Sequence, residues 1–198
     1  VVVTFFLTPL LLDHLGKVQY GVWILATSVV GYYGLLGFGL QGGVNQYLTR
    51  YLAKKDYERM NAAASTAFAA LSFLGGVVVL LAVIVALIAP TLFEVPGEYN
   101  TTLTWCVILL GASAGTQFVL HLYSAVYVAT QRYDVSNGIA IVTRILSALL
   151  VLFVIWSGYG LLGVVAATTF CDVLGYLARW RIAQVLLPQL TVSWNAIN

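Results

Sequence analysis

The sequence predicts an all-α fold, a polytopic bundle of transmembrane helices. Of its 198 residues, 61% are hydrophobic and only 8% are charged, and the mean hydropathy is +0.95. This composition excludes an ordinary soluble domain, in which about a quarter of the residues are charged. Apolar runs long enough to cross a bilayer follow one another along the chain. The net charge of +2 gives no reason to predict nucleic-acid binding.

Six helical segments are predicted from these runs, at about residues 1–14, 20–51, 60–93, 100–130, 135–157 and 159–187. The first contains Pro9 and has only twelve residues before Asp13, too few for a crossing of about 20. The chain starts on Val and lacks the basic region and cleavage site of a signal peptide. We therefore expect a truncated first helix and a chain that is a fragment.

Basic residues concentrate at the end of the bundle that is reached after each even-numbered segment. They are Arg50, Lys54, Lys55, Arg59, Arg132, Arg179 and Arg181. The other end has Lys17 as its basic residue, together with Glu94 and Glu98. By the positive-inside rule the basic end is cytoplasmic. The sequence thus predicts a multi-pass protein of the inner (cytoplasmic) membrane, with both ends of the chain in the cytoplasm.

The second segment is rich in glycine and carries a polar stripe. Gly31, Gly34, Gly37 and Gly39 are expected to let a neighbouring helix approach closely and to make this helix pliable. The stripe consists of Gln41 and Asn45, which are four residues apart and share one helical face. In lipid such a stripe must face the bundle interior, so it either lines a wet cavity or hydrogen-bonds a neighbouring helix.

This region resembles the polysaccharide biosynthesis family of membrane exporters, which includes the O-antigen-type lipid-linked oligosaccharide flippases. The similar stretch is "LGKVQYGVWILATSVVGYYGLLGFGLQGGVNQYLTRYLAKKD", from Leu15 to Asp56. The residues that carry it are Leu15-Gly16, Tyr20-Gly21-x-Trp23, Gly31-Tyr32, Leu35-Leu36-x-Phe38-Gly39-Leu40 and Tyr51-x-Ala53-Lys54. A later stretch, "ATQRYDVSNGIAIVTRILSALL", is similar to the family's fourth-to-fifth helix junction in Gln131, Arg132, Asn137 and Arg144.

The resemblance covers about residues 15–190 and implies a transporter built from two six-helix halves around a central cavity. This chain would be the N-terminal half of a protein of twelve or more helices, and its partner would be the missing C-terminal half. The closing stretch "LLPQLTVSWNAIN" stands where the connection between halves would begin. The implied substrates are anionic, isoprenoid pyrophosphate-linked glycans.

Three ionisable side chains interrupt the later segments: Arg144, Asp172 and His121. Counting the helical rise from the basic end puts each at a depth of roughly 15–17 Å, near the middle of a ~30 Å hydrocarbon layer. An intramembrane Arg costs about 2.5–3.5 kcal/mol on insertion scales, so we expect it to have a partner or a function. His121 either takes part in proton coupling or is simply hydrogen-bonded.

Two interpretations of Arg144 and Asp172 stay open. They form a helix–helix clamp in which each offsets the burial of the other, or they belong to a cavity that engages an anionic substrate. In the second interpretation the predicted lining of that cavity is Arg144, Asp172, His121, Gln41 and Asn45. A guanidinium group suits the pyrophosphate that the resemblance implies.

Other classes of function have less support from the sequence. We predict no enzyme, because there are no paired carboxylates, no HExxH and no nucleophile beside a base. Cys106 and Cys171 lie in apolar runs without metal spacing, so neither a metal site nor a cofactor is predicted. The remaining alternatives to a flippase are an ion-coupled multidrug exporter of the same superfamily and a membrane scaffold fragment without transport activity.

Overall fold

The fold is all-α in the part of the chain that the structure, a computed structural model, describes: residues 2–37, 39–93 and 95–192. Its six α-helices are α1 (Val2–Tyr33), α2 (Leu40–Ala53), α3 (Tyr57–Leu92), α4 (Asn100–Ala129), α5 (Tyr133–Trp156) and α6 (Gly160–Leu186). Short 3-10 turns precede α2, at Gly34–Gly37, and α4, at Gly97–Tyr99. Residues 193–198, in the proposed connection to a second half, lie outside the described residues.

The last four predicted helices agree with α3 to α6 to within three residues at each end. All four are long and apolar enough to cross a membrane. A bundle of this composition fits a bilayer environment and a multi-pass membrane protein.

The predicted break between the first two segments is confirmed, and the predicted second segment needs correction. Between the predicted helices 1–14 and 20–51, α1 has a non-helical residue, Gly16, with φ 74° and ψ 168°, so that α1 consists of two helices that meet at a kink. The predicted helix 20–51 is itself divided by the turn Gly34–Gly37 and by Gly39, with φ +96°. Glycine allows such backbone angles at little steric cost, so the chain can change direction here. The resulting α2 has 14 residues, too few to cross a bilayer alone.

Of the four glycines predicted to allow close helix packing, one does so in the structure. A Cβ added to Gly31, Gly34 or Gly39 would meet no described atom within 4 Å, so these three do not bring a neighbouring helix close. Gly37 does, since its added Cβ would lie 2.7 Å from the Phe118 ring of α4.

The closest helix approach is between α3 and α4. A Cβ on Gly75 would lie 2.7 Å from the carbonyl oxygen of Gly115, and one on Gly111 would collide with Ala82. Gly111 and Gly115 are four residues apart and therefore present one glycine surface on α4. In lipid, burial of apolar side chains contributes little to helix association. Close backbone contacts of this kind therefore supply part of the stabilisation between α3 and α4.

The hairpin turns α2–α3 and α4–α5 are built alike. Lys55 and Gln131 both have φ 56°, in the left-handed region. In each turn the following residue, Asp56 or Arg132, donates its backbone N–H to the carbonyl of a tyrosine five residues earlier, at 3.0 and 2.9 Å. This is the 6→1 bond of a Schellman helix end. The two turns lie at the same end of the bundle, which we call the basic end.

The chain beyond α6 folds back along α3. The Asn61 side chain donates to the carbonyl of Gln189 at 3.1 Å and accepts from the N–H of Thr191 at 3.1 Å. Leu187 and Leu190 pack into the core that α2, α3 and α4 share. These contacts hold the C-terminal end of α6 in place.

Candidate functional site: a polar cleft between α4, α5 and α6

Two adjoining polar cavities, of about 170 and 240 Å³, lie among α4, α5 and α6. They share the side chains of Gln117, Tyr176 and Arg179, and we treat them as one feature, the polar cleft. The smaller cavity is also lined by Ala140, Thr143, Arg144 and Asp172, and the larger one by Leu120, His121, Ser124 and Ser136.

The helical repeat explains how polar residues of three helices reach one cleft. On α4 the residues are Gln117, His121 and Ser124; on α5 Ser136, Ala140 and Thr143; on α6 Asp172, Tyr176 and Arg179. Each set has the spacing i, i+4, i+7, which keeps its side chains on one face of a helix. Other faces of these helices are apolar, so the cleft is a polar strip within apolar spans.

Arg144 and Asp172 line the same cavity without forming a salt bridge. Within the described residues, ion pairs closer than 4.0 Å join Arg59 to Asp56 and Arg132 to Asp134. Arg144 is exposed and Asp172 is partly buried. The positive charges of Arg144 and Arg179 both act on the Asp172 carboxylate. Arg144, Arg179 and Asp172 are thus spaced around the smaller cavity and do not form a closed ion-pair clamp.

Arg179 is the functional candidate that the sequence analysis missed. By the positive-inside rule it was assigned, with Arg181, to the solvated basic end. Arg179 lies seven residues before the end of α6 at Leu186, roughly 10 Å inside the helix. Its spacing of seven from Asp172 is the signal that could have found it. Arg181 differs, since it is exposed and its guanidinium lies 4.8 Å from the centre of the Trp180 ring.

The formal charge of the cleft is positive. Arg144 and Arg179 contribute two positive charges and Asp172 one negative charge, which leaves +1 with a neutral His121. Guanidinium groups are always protonated in proteins and present several N–H donors in a fixed plane. The cleft can therefore hold an oxyanion while the carboxylate limits how tightly it does so.

His121 and Tyr127 both lie on α4, His121 in the wall of the larger cavity and Tyr127 nearer the basic end. The Nδ1 atom of His121 is buried and has no hydrogen-bond partner among the described residues. One helical turn and a half further along α4, the hydroxyl of Tyr127 donates to the backbone carbonyl of Arg179 at 2.7 Å. This bond fixes α6 against α4 next to the cleft.

Gln41 and Asn45 lie apart from the cleft, although the sequence analysis grouped them with Arg144. They are on α2, which packs against α3 and α4, and neither lines the cavities described above. The Gln41 amide nitrogen is beside Gly37, where the Phe118 ring of α4 also lies. The Asn45 side-chain oxygen is buried and has no hydrogen-bond partner among the described residues. The stripe thus contacts a neighbouring helix rather than the charged residues.

Comparison with protein-family models, with curated proteins and with solved structures finds no match to this chain. The resemblance to the exporter family therefore depends on the sequence stretches quoted above, and the cleft has to be interpreted from its own chemistry.

Proposed function

We propose that this chain is one half of a membrane transporter that moves lipid-linked oligosaccharide across the cytoplasmic membrane. The observation that carries the proposal is the polar cleft, with two guanidinium groups and one carboxylate among helices that are otherwise apolar. Charged side chains at membrane depth are costly, and proteins keep them where they contact a substrate, an ion or water. The sequence stretches similar to the polysaccharide biosynthesis family support the same function.

The charge of the cleft favours an anionic head group as the ligand. Arg144 and Arg179 are on different helices, and both line the smaller cavity. Two guanidinium groups that converge on one volume suit a pyrophosphate, which presents oxygens on both phosphorus atoms. In this proposal the cleft holds the pyrophosphate while the isoprenoid tail stays in the bilayer. The role is in binding and translocation, without enzymatic chemistry.

Alternating access is the mechanism that we propose. The two halves of the transporter would rock about the cleft and expose it first to the cytoplasm and then to the opposite side. The interruption between α1 and α2 at Gly34–Gly39 is apart from the cleft, and in this proposal it allows α2 to move as the halves rock.

An ion-coupled exporter of cationic drugs is the second candidate, and Asp172 is the observation that favours it. A carboxylate in the cleft can bind a cation or exchange a proton. The second guanidinium, Arg179, favours the anionic substrate over this alternative, because a cationic drug would be repelled by two of the three charges.

The test is a translocation assay in proteoliposomes with the protein that contains this chain and a fluorescent isoprenoid pyrophosphate-linked glycan. Arg144→Ala and Arg179→Ala are each expected to lower the translocation rate about tenfold or more, because each removes a hydrogen bond to a charged group. Arg181→Ala is the matched control: it removes the same charge from the same helix outside the cleft, and we expect normal translocation.

Normal translocation by a well-expressed Arg144→Ala variant would contradict the proposal. Transport of a hydrophobic cationic dye that is lost in Asp172→Asn, with no glycan translocation by the unmodified protein, would favour the drug exporter instead.

A further inference from the structure

A larger cavity, of about 610 Å³, lies between α2 and α3 and shares no residue with the polar cleft. We call it the α2–α3 groove. Its lining is Gly39, Leu40, Gly43, Val44, Tyr47, Leu48, Tyr51, Ala63, Thr66, Ala67 and Ala70. Val44 and Leu48 are buried and form the floor, whereas Tyr47 is 50% exposed. The rings of Tyr47 and Tyr51 stack with their centres 6.3 Å apart.

The groove extends from the middle of the bundle to its basic end. Gly37, just before α2, lies against Phe118, which is eleven residues before the end of α4 at Ala129. From Gly39 to Tyr51 the groove follows α2 for twelve residues, or roughly 18 Å. This length is close to half of a ~30 Å hydrocarbon layer, which is the thickness of one leaflet.

Two basic side chains continue the groove at its end. Arg50 and Lys54 follow Tyr47 by three and seven residues, so they are on the face of α2 that lines the groove. Both are exposed, and neither has a carboxylate within 4.0 Å in the described part of the chain. Arg59, on the facing side of α3, is neutralised by Asp56 at 3.4 Å. The unpaired positive charge at this end of the groove therefore comes from Arg50 and Lys54, with Lys55 following in the turn.

We propose that the α2–α3 groove binds an anionic phospholipid of the bilayer. One acyl chain lies along the floor of Val44 and Leu48, and the phosphate binds Arg50 and Lys54. The hydrocarbon lining suits an acyl chain, and a leaflet-long groove with cations at its outer end matches a phospholipid in shape and charge.

The test is native mass spectrometry of the protein after incubation with an equimolar mixture of phosphatidylglycerol and phosphatidylcholine of the same acyl chains. We expect the unmodified protein to retain more phosphatidylglycerol than phosphatidylcholine. In Arg50→Gln/Lys54→Gln this affinity is expected to fall by about 10- to 30-fold, as two cations near a membrane surface predict. Arg132→Gln, in the similar turn α4–α5, is the matched control and should retain phosphatidylglycerol normally.

A second variant tests the hydrocarbon part of the groove with the charges intact. Thr66→Phe fills the groove from an exposed position of its wall, so that the fold is preserved. It should lower phosphatidylglycerol retention as well. Equal retention of the two lipids by the unmodified protein would contradict the proposal. So would retention that neither variant changes, or competition by free glycerol phosphate, which would indicate a head-group site without an acyl chain.

Discussion

Asp172 is the residue that separates the two interpretations of the polar cleft. As part of a closed clamp, its loss would leave a charge without its partner, which costs about 3–5 kcal/mol for a buried pair. In the structure it makes no salt bridge within 4.0 Å and shares an open cavity with Arg144 and Arg179. Its main effect is then to reduce the positive potential that an anion meets.

Asp172→Asn is therefore expected to change the free energy of unfolding by less than about 1 kcal/mol, the range of exposed ion pairs. It should also strengthen binding of an isoprenoid pyrophosphate several-fold, because the formal charge of the cleft rises from +1 to +2. Thermal unfolding in detergent and calorimetric titration measure the two effects. Glu98→Gln, which removes an exposed carboxylate that makes no ion pair within the described residues, is the control. Destabilisation of 3 kcal/mol or more would identify a structural clamp.

The sequence predicted correctly for some residues, and not for others, whether they line the polar cleft. Arg144 and Asp172 were found together because the helical rise alone fixes their depth, and both line one cavity. Arg179 was missed because a basic residue near a helix end usually marks the membrane surface. Gln41 and Asn45 were grouped with the charged residues because a helical repeat shows which residues share a face, but not which neighbour that face meets.

At the scale of elements, the close packing of α3 against α4 requires glycine, which has no side chain, at the positions where the two helices cross. Gly75 is buried against the Gly115 carbonyl, whereas the adjacent Gly76 is exposed and an added Cβ there meets no described atom within 4 Å. Gly75→Ala is expected to destabilise the protein by about 1–3 kcal/mol through overpacking. Gly76→Ala should stabilise it by up to about 1 kcal/mol, because alanine is the better helix former.

Thermal unfolding in detergent micelles measures the stability of both variants. The free energy of unfolding should fall in Gly75→Ala and rise in Gly76→Ala. Equal effects at Gly75 and Gly76 would show that α3 and α4 are farther apart than the structure has them. The measurement needs no knowledge of function, so it tests the packing of the bundle by itself.

The sequence predicted the elements best where apolar runs end at charged or glycine-containing turns, as at Lys54–Asp56 and Thr130–Arg132. It failed where a helix is interrupted from within. Gly39, inside the predicted helix 20–51, adopts a positive φ, but other glycines of the same region, such as Gly31, stay helical. Which glycine breaks a helix depends on the neighbouring helices, and the spacing of glycines does not contain that information.

At the scale of the whole molecule, the proposed transport requires a water-filled cleft within a bundle of apolar helices. The predicted fold class, an all-α bundle, is confirmed for the described residues, and four of its helices are long and apolar enough to span a bilayer. The cleft itself could not be predicted, because it forms where three helices converge. One face of each of α4, α5 and α6 forms its inner surface. Which helices pack against one another depends on the tertiary structure and cannot be read from the periodicity of a single helix.

The most direct test compares two neighbouring residues of α5, each changed to cysteine. Ala140 lines the polar cleft, whereas Ile141 is 59% exposed on a face that the bilayer would cover. The thiolate is the nucleophile that attacks a methanethiosulfonate, and a thiol needs water to ionise. The two natural cysteines are buried. We predict that, in membrane fragments, Ala140→Cys reacts with a membrane-impermeant methanethiosulfonate and is protected by pyrophosphate, while Ile141→Cys does not react. An unreactive Ala140→Cys, or equal reactivity of the two variants, would contradict a hydrated anion-binding cleft.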